Sequence, residues 1–252
     1  MEIKKLLYVT YLGEPTYELL EGLTEMGKIG LKEIILFPKN PPKELVDQFS
    51  DHGIGLKGVE GSEPLIPRIV EVANKEQVSL IIAHSHRDKE GFISGRTARH
   101  LIRNTPVPLL IMHENGDEES PSTRGLFNSV ILATDWSDAA GRAWLYMIGI
   151  KEIVGTIDIV YVLHEKPTIG EIRRLKERVE EVRKICLAED MDAESHIYAG
   201  KTADEIVLAS KDYNATVIAM GYKPKGALKE IFSGSSCYGV VKKSSVPVLI
   251  IP

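Results

Sequence analysis

Short runs of apolar residues alternate with amphipathic segments along the whole chain. A run such as Val217-Ile218-Ala219-Met220 contains no polar position, which is typical of a strand buried on both faces of a parallel sheet. In the second half of the chain, the predicted strands span 128–134, 156–163, 194–199, 215–220 and 247–251. The predicted helices between them span 138–150, 168–190, 202–213 and 235–244. This alternation predicts a parallel sheet covered by helices on both faces.

The first half of the chain shows the same alternation in a shorter form. Its predicted strands span 4–10, 32–37, 54–60, 79–83 and 108–112. The stretch 38–53, which contains Pro41 and Pro42, stands where the second half has its long second helix. A polar, turn-rich segment follows the fifth strand and predicts a linker over 117–126. The predicted domains are therefore 1–116 and 127–252.

The two halves repeat the same landmarks at a fixed offset. The matching positions, each pair 139 residues apart, are Pro108 and Pro247, Gly95 and Gly234, and Gly61 and Gly200. The first strands, 6–10 and 130–134, are only 124 residues apart. The copies therefore differ by insertions between the first strand and Gly61 in one copy or Gly200 in the other. A repeat of this length indicates duplicated domains and not a solenoid.

Each copy is predicted to be an open, five-stranded, flavodoxin-like parallel sheet with strand order 3-2-1-4-5 and helices on both faces. Ligands of such α/β sheets bind beyond the carboxyl ends of the strands, where the winding direction reverses, which here is between the first and fourth strands. In the second copy, the candidate ligand-contacting residues at that crevice are Ala133, Thr134, Asp135, Met220, Gly221, Lys223, Gly226, Gly234, Ser235 and Ser236.

Several of these residue types suit a nucleotide. A helix that begins at 234–236 offers free main-chain N–H groups and hydroxyl donors to a phosphate. Gly221 allows close approach of the backbone, Lys223 adds positive charge, and Asp135 can accept hydrogen bonds from an adenine amine or a sugar hydroxyl. Taken singly, each has a plainer explanation as a helix cap, a turn residue or a solvated lysine. Their convergence on one crevice favours a ligand site.

Composition and charge narrow the function classes. The 252 residues include 43% hydrophobic and 27% charged residues, as in an ordinary globular protein. A formal net charge of −5 argues against a dedicated nucleic-acid binder, which usually carries a basic excess. Because Cys186 and Cys237 are far apart and no Cys/His cluster has zinc-ligand spacing, we expect reduced thiols and no metal site. With neither an apolar run of roughly 20 residues nor a signal-peptide pattern, the chain is expected to be cytoplasmic.

At these positions the second copy resembles the universal stress protein family over about residues 127–252. Nucleotide-binding members of that family have a first strand that ends in Thr-Asp, as Thr134-Asp135 does here. They also have a Met-Gly strand end followed by Gly-x-x-Gly-x₉-Gly-Ser/Thr, a helix and a terminal Val-Pro strand. The segments that fall at the family spacing are Met220-Gly221, Gly234-Ser235 and Val246-Pro247.

The resemblance implies an adenine-nucleotide site in the second copy, on a fold of the adenine-nucleotide-hydrolase-like kind. By this resemblance Asp135 and the backbone of Val162 contact adenine. The residues implied to hold ribose and phosphates are Gly221, Gly234, Ser235 and Ser236. The implied ligand is AMP or ATP, with Mg²⁺ as a companion of ATP, and the implied role is regulation in a stress response.

One residue departs from the family motif. Pro224 replaces its middle glycine, and Gly226 follows two residues later. Because proline fixes φ and has no N–H to donate, one phosphate contact is expected to be lost or moved. AMP needs fewer donors than ATP and is therefore expected to fit better.

The first copy departs much further. Tyr11 stands in the place of Asp135 and cannot act as a carboxylate acceptor, and His84 stands in the place of Gly221. His84 and His86 invite a metal interpretation, but two histidines at i and i+2 without another ligand are more often solvated or hydrogen-bonded loop residues. We expect this copy to be a structural and dimerisation half without the nucleotide site.

Three functions are compatible with these residues. The first is a nucleotide-binding regulatory protein with at most slow ATP hydrolysis, because the chain has no P-loop of the GxxxxGK[ST] kind and no evident base for attack on a phosphate. The second is a nucleotide-free interaction module of the same fold. The third is an enzyme on a related scaffold, for example an adenylate-transferring one.

The expected partners follow from the sheet edges. The short Val-Pro strands at 107–112 and 246–251 should lie at edges, and exposed edges seek partners. Since such strands pair across a dimer in the family that the chain resembles, we expect the two copies to pair within one chain and chains to form a homodimer. No nucleic acid or membrane is expected as a partner.

Overall fold

A computed structural model describes residues 3–9, 20–61, 65–86, 95–114, 123, 125–163, 167–223 and 234–252. The chain divides into two compact units, Met1–Leu126 and Phe127–Pro252. None of the helices within the described ranges combines the length and apolar character that crossing a membrane requires.

The first unit is built on a parallel sheet. Its strands are β1 (Lys5–Val9), β2 (Glu33–Phe37), β3 (Gly55–Gly58), β4 (Leu80–His86) and β5 (Leu109–Glu114). They pair in parallel in the order β3-β2-β1-β4-β5. A 3₁₀ helix spans Glu21–Ile29, and the α-helices are α1 (Lys43–Asp51), α2 (Leu65–Glu76) and α3 (Gly95–Asn104).

The second unit repeats this architecture. Its strands are β6 (Ser129–Thr134), β7 (Thr156–Leu163), β8 (Asp192–Ala199), β9 (Val217–Gly221) and β10 (Val248–Ile251). They pair in parallel in the order β8-β7-β6-β9-β10. The helices are α4 (Asp138–Gly149), α5 (Ile169–Ala188), α6 (Thr202–Asp212) and α7 (Gly234–Lys243), with a 3₁₀ turn at Lys151–Ile153. The predicted fold, two tandem α/β domains with strand order 3-2-1-4-5, is confirmed.

Continuously apolar strands form the centre of each sheet. Every residue of β9 is buried, and so are Val130, Ile131, Leu132 and Ala133 of β6. Burial on both faces follows from the winding, because helices cover each side of a parallel sheet. These rigid central strands fix the positions of the residues that follow them.

Local polar signals set the helix ends in the second unit. Ser137 caps α4, where its side chain accepts a hydrogen bond from the N–H of Ala140. Thr168 and Glu171 form a reciprocal capping box at the start of α5, in which each side chain accepts from the main-chain N–H of the other. These caps satisfy main-chain N–H groups that a helix start otherwise leaves without partners.

The copies differ most between their second and third strands. In the first unit, the stretch 38–53 contains the nine-residue helix α1, which begins directly after Pro42. In the second unit the same connection is the 20-residue helix α5. The prolines therefore shorten the second helix without removing it, because proline is tolerated at a helix start and not in its interior.

Candidate functional site

The carboxyl ends of β6 and β9 lie side by side in the second unit. Ala133 pairs with Met220 in the parallel register, so Thr134-Asp135 and Gly221 leave the sheet at the same edge. On its other side β6 pairs with β7, and β9 pairs with β10. The chain thus reverses its winding direction between β6 and β9, which is the position at which the sequence predicts the crevice.

The turn after β6 is held by three short-range hydrogen bonds. Thr134 Oγ1 accepts from the N–H of Trp136 at 3.2 Å, and Asp135 Oδ1 accepts from the N–H of Ser137 at 3.0 Å. Ser137 Oγ in turn accepts from the N–H of Ala140 at 3.2 Å. One carboxylate oxygen of Asp135 therefore shapes the turn, as in the plainer explanation of this residue, and the carboxylate stays half-buried at the crevice.

Trp136 adopts a left-handed backbone conformation with φ of +64°. Residues other than glycine rarely adopt this region, and such outliers concentrate at ligand and active sites. The conformation turns the chain sharply between the end of β6 and the first turn of α4.

Gly221 is glycine for a packing reason. A Cβ atom at this position would lie 2.1 Å from the carbonyl oxygen of Ala139 and 2.6 Å from the nitrogen of Ala140. The end of β9 therefore touches the main chain of the first turn of α4. Only a residue without a side chain permits this approach, whether or not a ligand binds.

Helix α7 begins on the other side of Gly221. Cys237, in its first turn, donates from Sγ to the carbonyl oxygen of Gly221 at 3.6 Å. Burial raises the pKa of the Cys237 thiol to about 12, and the negative charge of Asp135 adds to this rise. The start of α7, the end of β9 and the Asp135 carboxylate are therefore neighbours. The amino termini of α4 and α7 both reach the end of β9, and each is a region of positive potential.

Two aromatic rings and a guanidinium group flank the crevice on the β7 side. The rings of Trp136 and Tyr161 stack with centroids 5.8 Å apart and an interplanar angle of 24°. The guanidinium carbon of Arg178 lies 5.9 Å from the centroid of the Trp136 ring, within range of a cation–π contact. Burial raises the pKa of Tyr161, Asp135 raises it further, and Arg178 opposes the shift. Asp135 and Arg178 thus place opposite charges near the ring of Tyr161.

A pocket of about 270 Å³ lies behind Trp136, between α4 and α5 over the sheet. Its lining residues are Leu132, Thr134, Trp136, Ser137, Ala140, Gly141, Trp144, Ile159, Arg178, Glu181 and Val182. The indole Nε1 of Trp136 is buried there and has no hydrogen-bond partner among the described residues. The pocket is mostly apolar with a few polar groups, as is usual for small-molecule sites.

Val162 presents its main chain to the same edge. The last pair between β6 and β7 is Thr134 with Tyr161, whereas the pairing of β7 with β8 continues as far as Leu163. The backbone of Val162 therefore lies past the end of β6, on the side that faces the crevice. The residue as a whole is 2% exposed, main chain included, so any contact with a ligand would be made at the strand end itself.

The structure brings most of the predicted residues together. Those placed at the converging strand and helix ends are Ala133, Thr134, Asp135, Val162, Met220, Gly221, Gly234 and Ser236. Lys223 lies two residues after the end of β9 and is half-buried. Gly226 lies outside the described residues, and so does Pro224, the residue that differs from the family motif. The side chain of Ser235 is also outside them.

The first unit fills the equivalent position with a side chain. Since Val9 pairs with Ala83 as Ala133 pairs with Met220, His84 occupies the place of Gly221. His84 lies within β4 and is 5% exposed, and its Nε2 is hydrogen-bonded to the hydroxyl of Tyr8. His84 is therefore hydrogen-bonded, which is one of the two expected states, but the expected loop position is wrong, because β4 extends through it to His86. Tyr11 and the side chain of His86 lie outside the described residues.

The sequence did not single out Trp136, Tyr161 and Arg178. Trp136 was visible beside Asp135, but nothing in its spacing indicates a left-handed backbone. Arg178 belongs to the charged face of α5, which the pattern predicts to be solvated. Its position over the Trp136 ring follows only from the packing of α5 beside the end of β6.

Comparisons with known proteins agree with this architecture. The universal stress protein family pattern matches residues 11–113 and 127–252. A universal stress protein from Thermus aquaticus is 29% identical over 136 residues, which cover 50% of this chain and 99% of that protein. The crystal structure of a universal stress protein from Archaeoglobus fulgidus matches with a TM-score of 0.67 at 21% identity, over 99% of this chain and 96% of that one.

A further structure from Archaeoglobus fulgidus is a universal stress protein in complex with dAMP. It is 20% identical and covers 50% of this chain and 99% of its own length, with a TM-score of 0.40. The family pattern itself covers most of both units. The chain therefore belongs to the universal stress protein family.

Proposed function

We propose that this chain is a regulatory protein of the stress response that binds an adenine nucleotide, AMP or ATP, in its second unit. The observation that carries the proposal is the convergence of two helix amino termini and the Asp135 carboxylate on the end of β9 at Gly221. No other arrangement of described residues in this unit combines positive helix ends with a carboxylate acceptor at a switch point of the sheet.

The phosphate groups are expected at the start of α7. The N–H groups of its first turn have no partners within the helix, and the helix dipole favours a negative charge there. Ser236 adds a hydroxyl group in the same turn, and Lys223 adds a positive charge at the end of β9. In α4 the N–H of Ala140 is already bonded to Ser137, so α7 has more donors to offer.

The adenosine part is expected between Asp135 and the end of β7. Asp135 can accept from the adenine amine or from a ribose hydroxyl, and the main chain of Val162 can exchange hydrogen bonds with the edge of the base. Trp136 and Tyr161 add aromatic surface, and stacking of a base on such a ring contributes about 1–3 kcal/mol. The proposed contacts thus use both sides of the crevice.

The first unit is proposed to have no equivalent site. His84 occupies the position at which the second unit needs a residue without a side chain. Its ring is buried within β4, where it is hydrogen-bonded to Tyr8 of β1. We therefore expect the close main-chain packing seen at Gly221, and the site built on it, to be missing from the first unit.

AMP is the favoured ligand, and ATP with Mg²⁺ is the alternative within the same proposal. Pro224 has no N–H, so the segment before α7 offers one hydrogen-bond donor fewer. A triphosphate needs more donors than a monophosphate and is therefore affected more. ATP hydrolysis is expected to be slow at most, and following phosphate release in the binding samples would measure it.

A nucleotide-free interaction module is the second candidate function. The observation in its favour is that both residue types have a structural reason without a ligand. Close packing on Ala139 requires a glycine at position 221, and Asp135 accepts a hydrogen bond from the N–H of Ser137. Under this alternative the crevice residues are structural, and neither AMP nor ATP binds with saturation.

Tryptophan fluorescence separates the two functions. The chain contains two tryptophans, and both line the pocket beside the crevice. The full chain is titrated with AMP, ATP and dAMP, with guanosine monophosphate as the specificity control. Asp135→Asn keeps an oxygen that can accept from Ser137 but removes the charge, and it should weaken AMP binding by about tenfold or more. Asp192→Asn removes the same charge at an exposed position at the start of β8 and should leave binding unchanged.

The outcomes of the titration are distinct. Saturable AMP binding that Asp135→Asn reduces supports the proposed site, and equal binding by both variants places the nucleotide elsewhere. No saturable change with any nucleotide supports the interaction module.

We also propose that the two copies pair with each other within one chain through their Val-Pro strands, and that two such chains form a homodimer. Within the sheets of their own units, β5 and β10 are the last strands of the order. Light scattering over a range of concentrations should give twice the chain mass, and a constant single-chain mass would contradict the homodimer.

A further inference from the structure

Three side chains with metal-ligand chemistry meet on one face of the second sheet, away from the nucleotide crevice. Asp158 lies on β7, and Glu194 and His196 lie two residues apart on β8. A carboxylate oxygen of each acid and a ring nitrogen of the histidine all lie within 4.8 Å of one another. We refer to these three residues as the β7–β8 cluster.

The strand register explains why these side chains meet. Asp158 pairs with Glu194 in the parallel ladder, so their side chains leave the sheet side by side. His196 follows Glu194 by two positions, and side chains two apart on a strand point to the same face. The sequence predicted no metal site because Asp158 is far from the other two along the chain.

The cluster carries an electrostatic conflict. Two carboxylates on directly paired positions repel each other, and like charges opposite each other on neighbouring strands are destabilising. Asp158 is 8% exposed, so water screens its charge weakly. A single imidazole, with Nε2 2.8 Å from Asp158 Oδ1, cannot neutralise both acids even when it is protonated. A bound cation of charge two would remove the conflict.

A second layer of contacts fixes the orientation of His196. The hydroxyl of Tyr213 lies 3.0 Å from Nδ1, and the two rings stack with centroids 4.0 Å apart. Tyr198, on the same face of β8, donates its hydroxyl to Asp212 at 2.7 Å. Burial and the hydrogen bond to Asp212 raise the pKa of Tyr198, and Tyr213 raises it further, which links the two tyrosines in one network. Histidine ligands of metals are usually held by a hydrogen bond at their second ring nitrogen, and here an oxygen atom of Tyr213 is in place to accept it.

We propose that Asp158, Glu194 and His196 bind a divalent transition-metal cation, with Zn²⁺ as the probe that suits their chemistry. One imidazole nitrogen and two carboxylate oxygens are ligands that Zn²⁺ accepts at about 2.0–2.2 Å. In the bound state Nε2 would contact the cation and the ring proton would reside on Nδ1. This N–H would donate a hydrogen bond to the hydroxyl oxygen of Tyr213. Three protein ligands leave one position of a tetrahedral Zn²⁺ for water.

The geometry requires only small side-chain movements. Ligand atoms of a tetrahedral Zn²⁺ lie about 3.3 Å apart. The gap of 2.8 Å between Asp158 Oδ1 and His196 Nε2 would therefore widen slightly, and the exposed Glu194 would close towards them. Because Glu194 is exposed and lies on the strand that ends the order of its own unit's sheet, a cation can reach the site from solvent.

Calorimetric titration of the full chain with ZnCl₂, after chelator treatment and without nucleotide, tests the proposal. We expect saturable binding with one Zn²⁺ per chain and a higher melting temperature in its presence. Glu194→Gln should weaken binding by about tenfold or more, and His196→Ala should weaken it further. Because Glu194 is exposed and has a like-charged neighbour, Glu194→Gln should fold with unchanged or higher stability in the absence of metal.

Two control variants keep the result specific. His100→Ala removes an exposed histidine from the first unit, and Glu177→Gln removes an exposed acid from α5, on the other side of the sheet. Both should bind Zn²⁺ like the unaltered chain. Absence of saturable binding would overturn the proposal, and so would equal binding by the Glu194→Gln, His196→Ala and control variants. Because no nucleotide is present, neither outcome depends on the proposed nucleotide site.

Discussion

The thiol of Cys237 donates a hydrogen bond to the main-chain carbonyl of Gly221, with Sγ 3.6 Å from the oxygen. On its other side Gly221 lies against the main chain of Ala139, where a Cβ would meet the carbonyl oxygen at 2.1 Å. The end of β9 is therefore clamped between the first turns of α4 and α7. This packing, and not a loop conformation, sets the floor of the candidate nucleotide site.

The contact with Gly221 predicts the reactivity of Cys237. The thiol is fully buried, and burial raises its pKa to about 12, with a further contribution from Asp135. Since the thiolate is the reactive form, a disulfide reagent at pH 8 should leave Cys237 unmodified in the folded chain. Burial also raises the pKa of Cys186, the other free cysteine. Both thiols should react in urea, and rapid reaction of Cys237 in buffer would contradict the structure.

The same shift predicts a loss of stability at alkaline pH. An unfolded chain releases the Cys237 proton near the ordinary value of 9.0, whereas the folded chain keeps it to about pH 12. The stabilising contribution is therefore complete below pH 9 and decreases as the pH rises, by about 1.4 kcal/mol per pH unit. Urea titrations from pH 8 to 10, followed by tryptophan fluorescence, should show this slope. Cys237→Ala should reduce the slope, and an unchanged slope would rule out a buried, protonated thiol.

Two glycine substitutions should have opposite effects on the second unit. Gly221→Ala places a Cβ against main-chain atoms that cannot move aside, so we expect a loss of about 3 kcal/mol in the free energy of unfolding. Gly141→Ala, inside α4, meets no atom within 4 Å and should gain about 0.5–1 kcal/mol, because alanine favours a helix. Both tryptophans lie in this unit, so fluorescence during urea unfolding measures each change. Similar stability of the two variants would show that Gly221 is not clamped.

The order and type of the elements were predictable because they depend on local patterns. Apolar runs gave the strands of the second unit to within two residues at each end, and Thr168 marks the start of α5 in both sequence and structure. The crevice was predictable because strand order alone decides where the winding reverses.

The details of the sites were not predictable, since they depend on contacts between distant parts of the chain. The position of Arg178 over Trp136 follows from how α5 packs, and the meeting of Asp158 with His196 follows from strand register. His84 was expected in a loop because the apolar run of β4 stops at Ala83. The strand nevertheless continues through His84, whose buried Nε2 is hydrogen-bonded to the hydroxyl of Tyr8.

Two buried tyrosines provide a matched test of hydrogen bonding. The hydroxyl of Tyr8 is bonded to His84, so Tyr8→Phe leaves a buried ring nitrogen without that partner and should cost about 1–3 kcal/mol. The hydroxyl of Tyr146 is buried without a hydrogen-bond partner among the described residues, so Tyr146→Phe should be neutral or stabilising. Burial also raises the pKa of Tyr146.

The two tyrosine variants need separate readouts because they lie in different units. Hydrogen exchange of peptides from β1 and β4 follows Tyr8→Phe, and tryptophan fluorescence follows Tyr146→Phe. Faster exchange in β1 and β4 for Tyr8→Phe, with no loss of stability for Tyr146→Phe, is the expected pattern. A destabilising Tyr146→Phe would mean that its hydroxyl has a partner.

Lys57 on β3 joins α2 to β2, and this link predicts a dependence of the first unit on pH. Its Nζ lies 2.8 Å from Glu76 Oε2 and 3.2 Å from Glu33 Oε1. The hydrogen bond between Glu76 and Lys57 lowers the pKa of Glu76 and raises that of Lys57. Glu76 thus contributes stability above its ordinary pKa of 4.5 that is lost as the pH falls through its folded value. The charged Lys57 contributes stability that is complete below its ordinary pKa of 10.5. This stability is lost as the pH rises through the higher pKa of the folded chain.

Glu76→Gln should therefore destabilise the first unit at pH values between the ordinary pKa of Glu76 and that of Lys57. It should have little effect in strong acid, where Glu76 is protonated. Because both side chains are partly exposed, the loss at pH 7 should be less than about 1 kcal/mol. Hydrogen exchange of peptides from β3 and α2, compared at pH 7 and in strong acid near pH 2.5 after correction for the intrinsic rate, measures it. Glu71→Gln is the control, because Glu71 forms its ion pair with Arg68 on the exposed face of the same helix. Equal effects of the two substitutions would show that the bridge through Lys57 adds nothing beyond an ordinary surface pair.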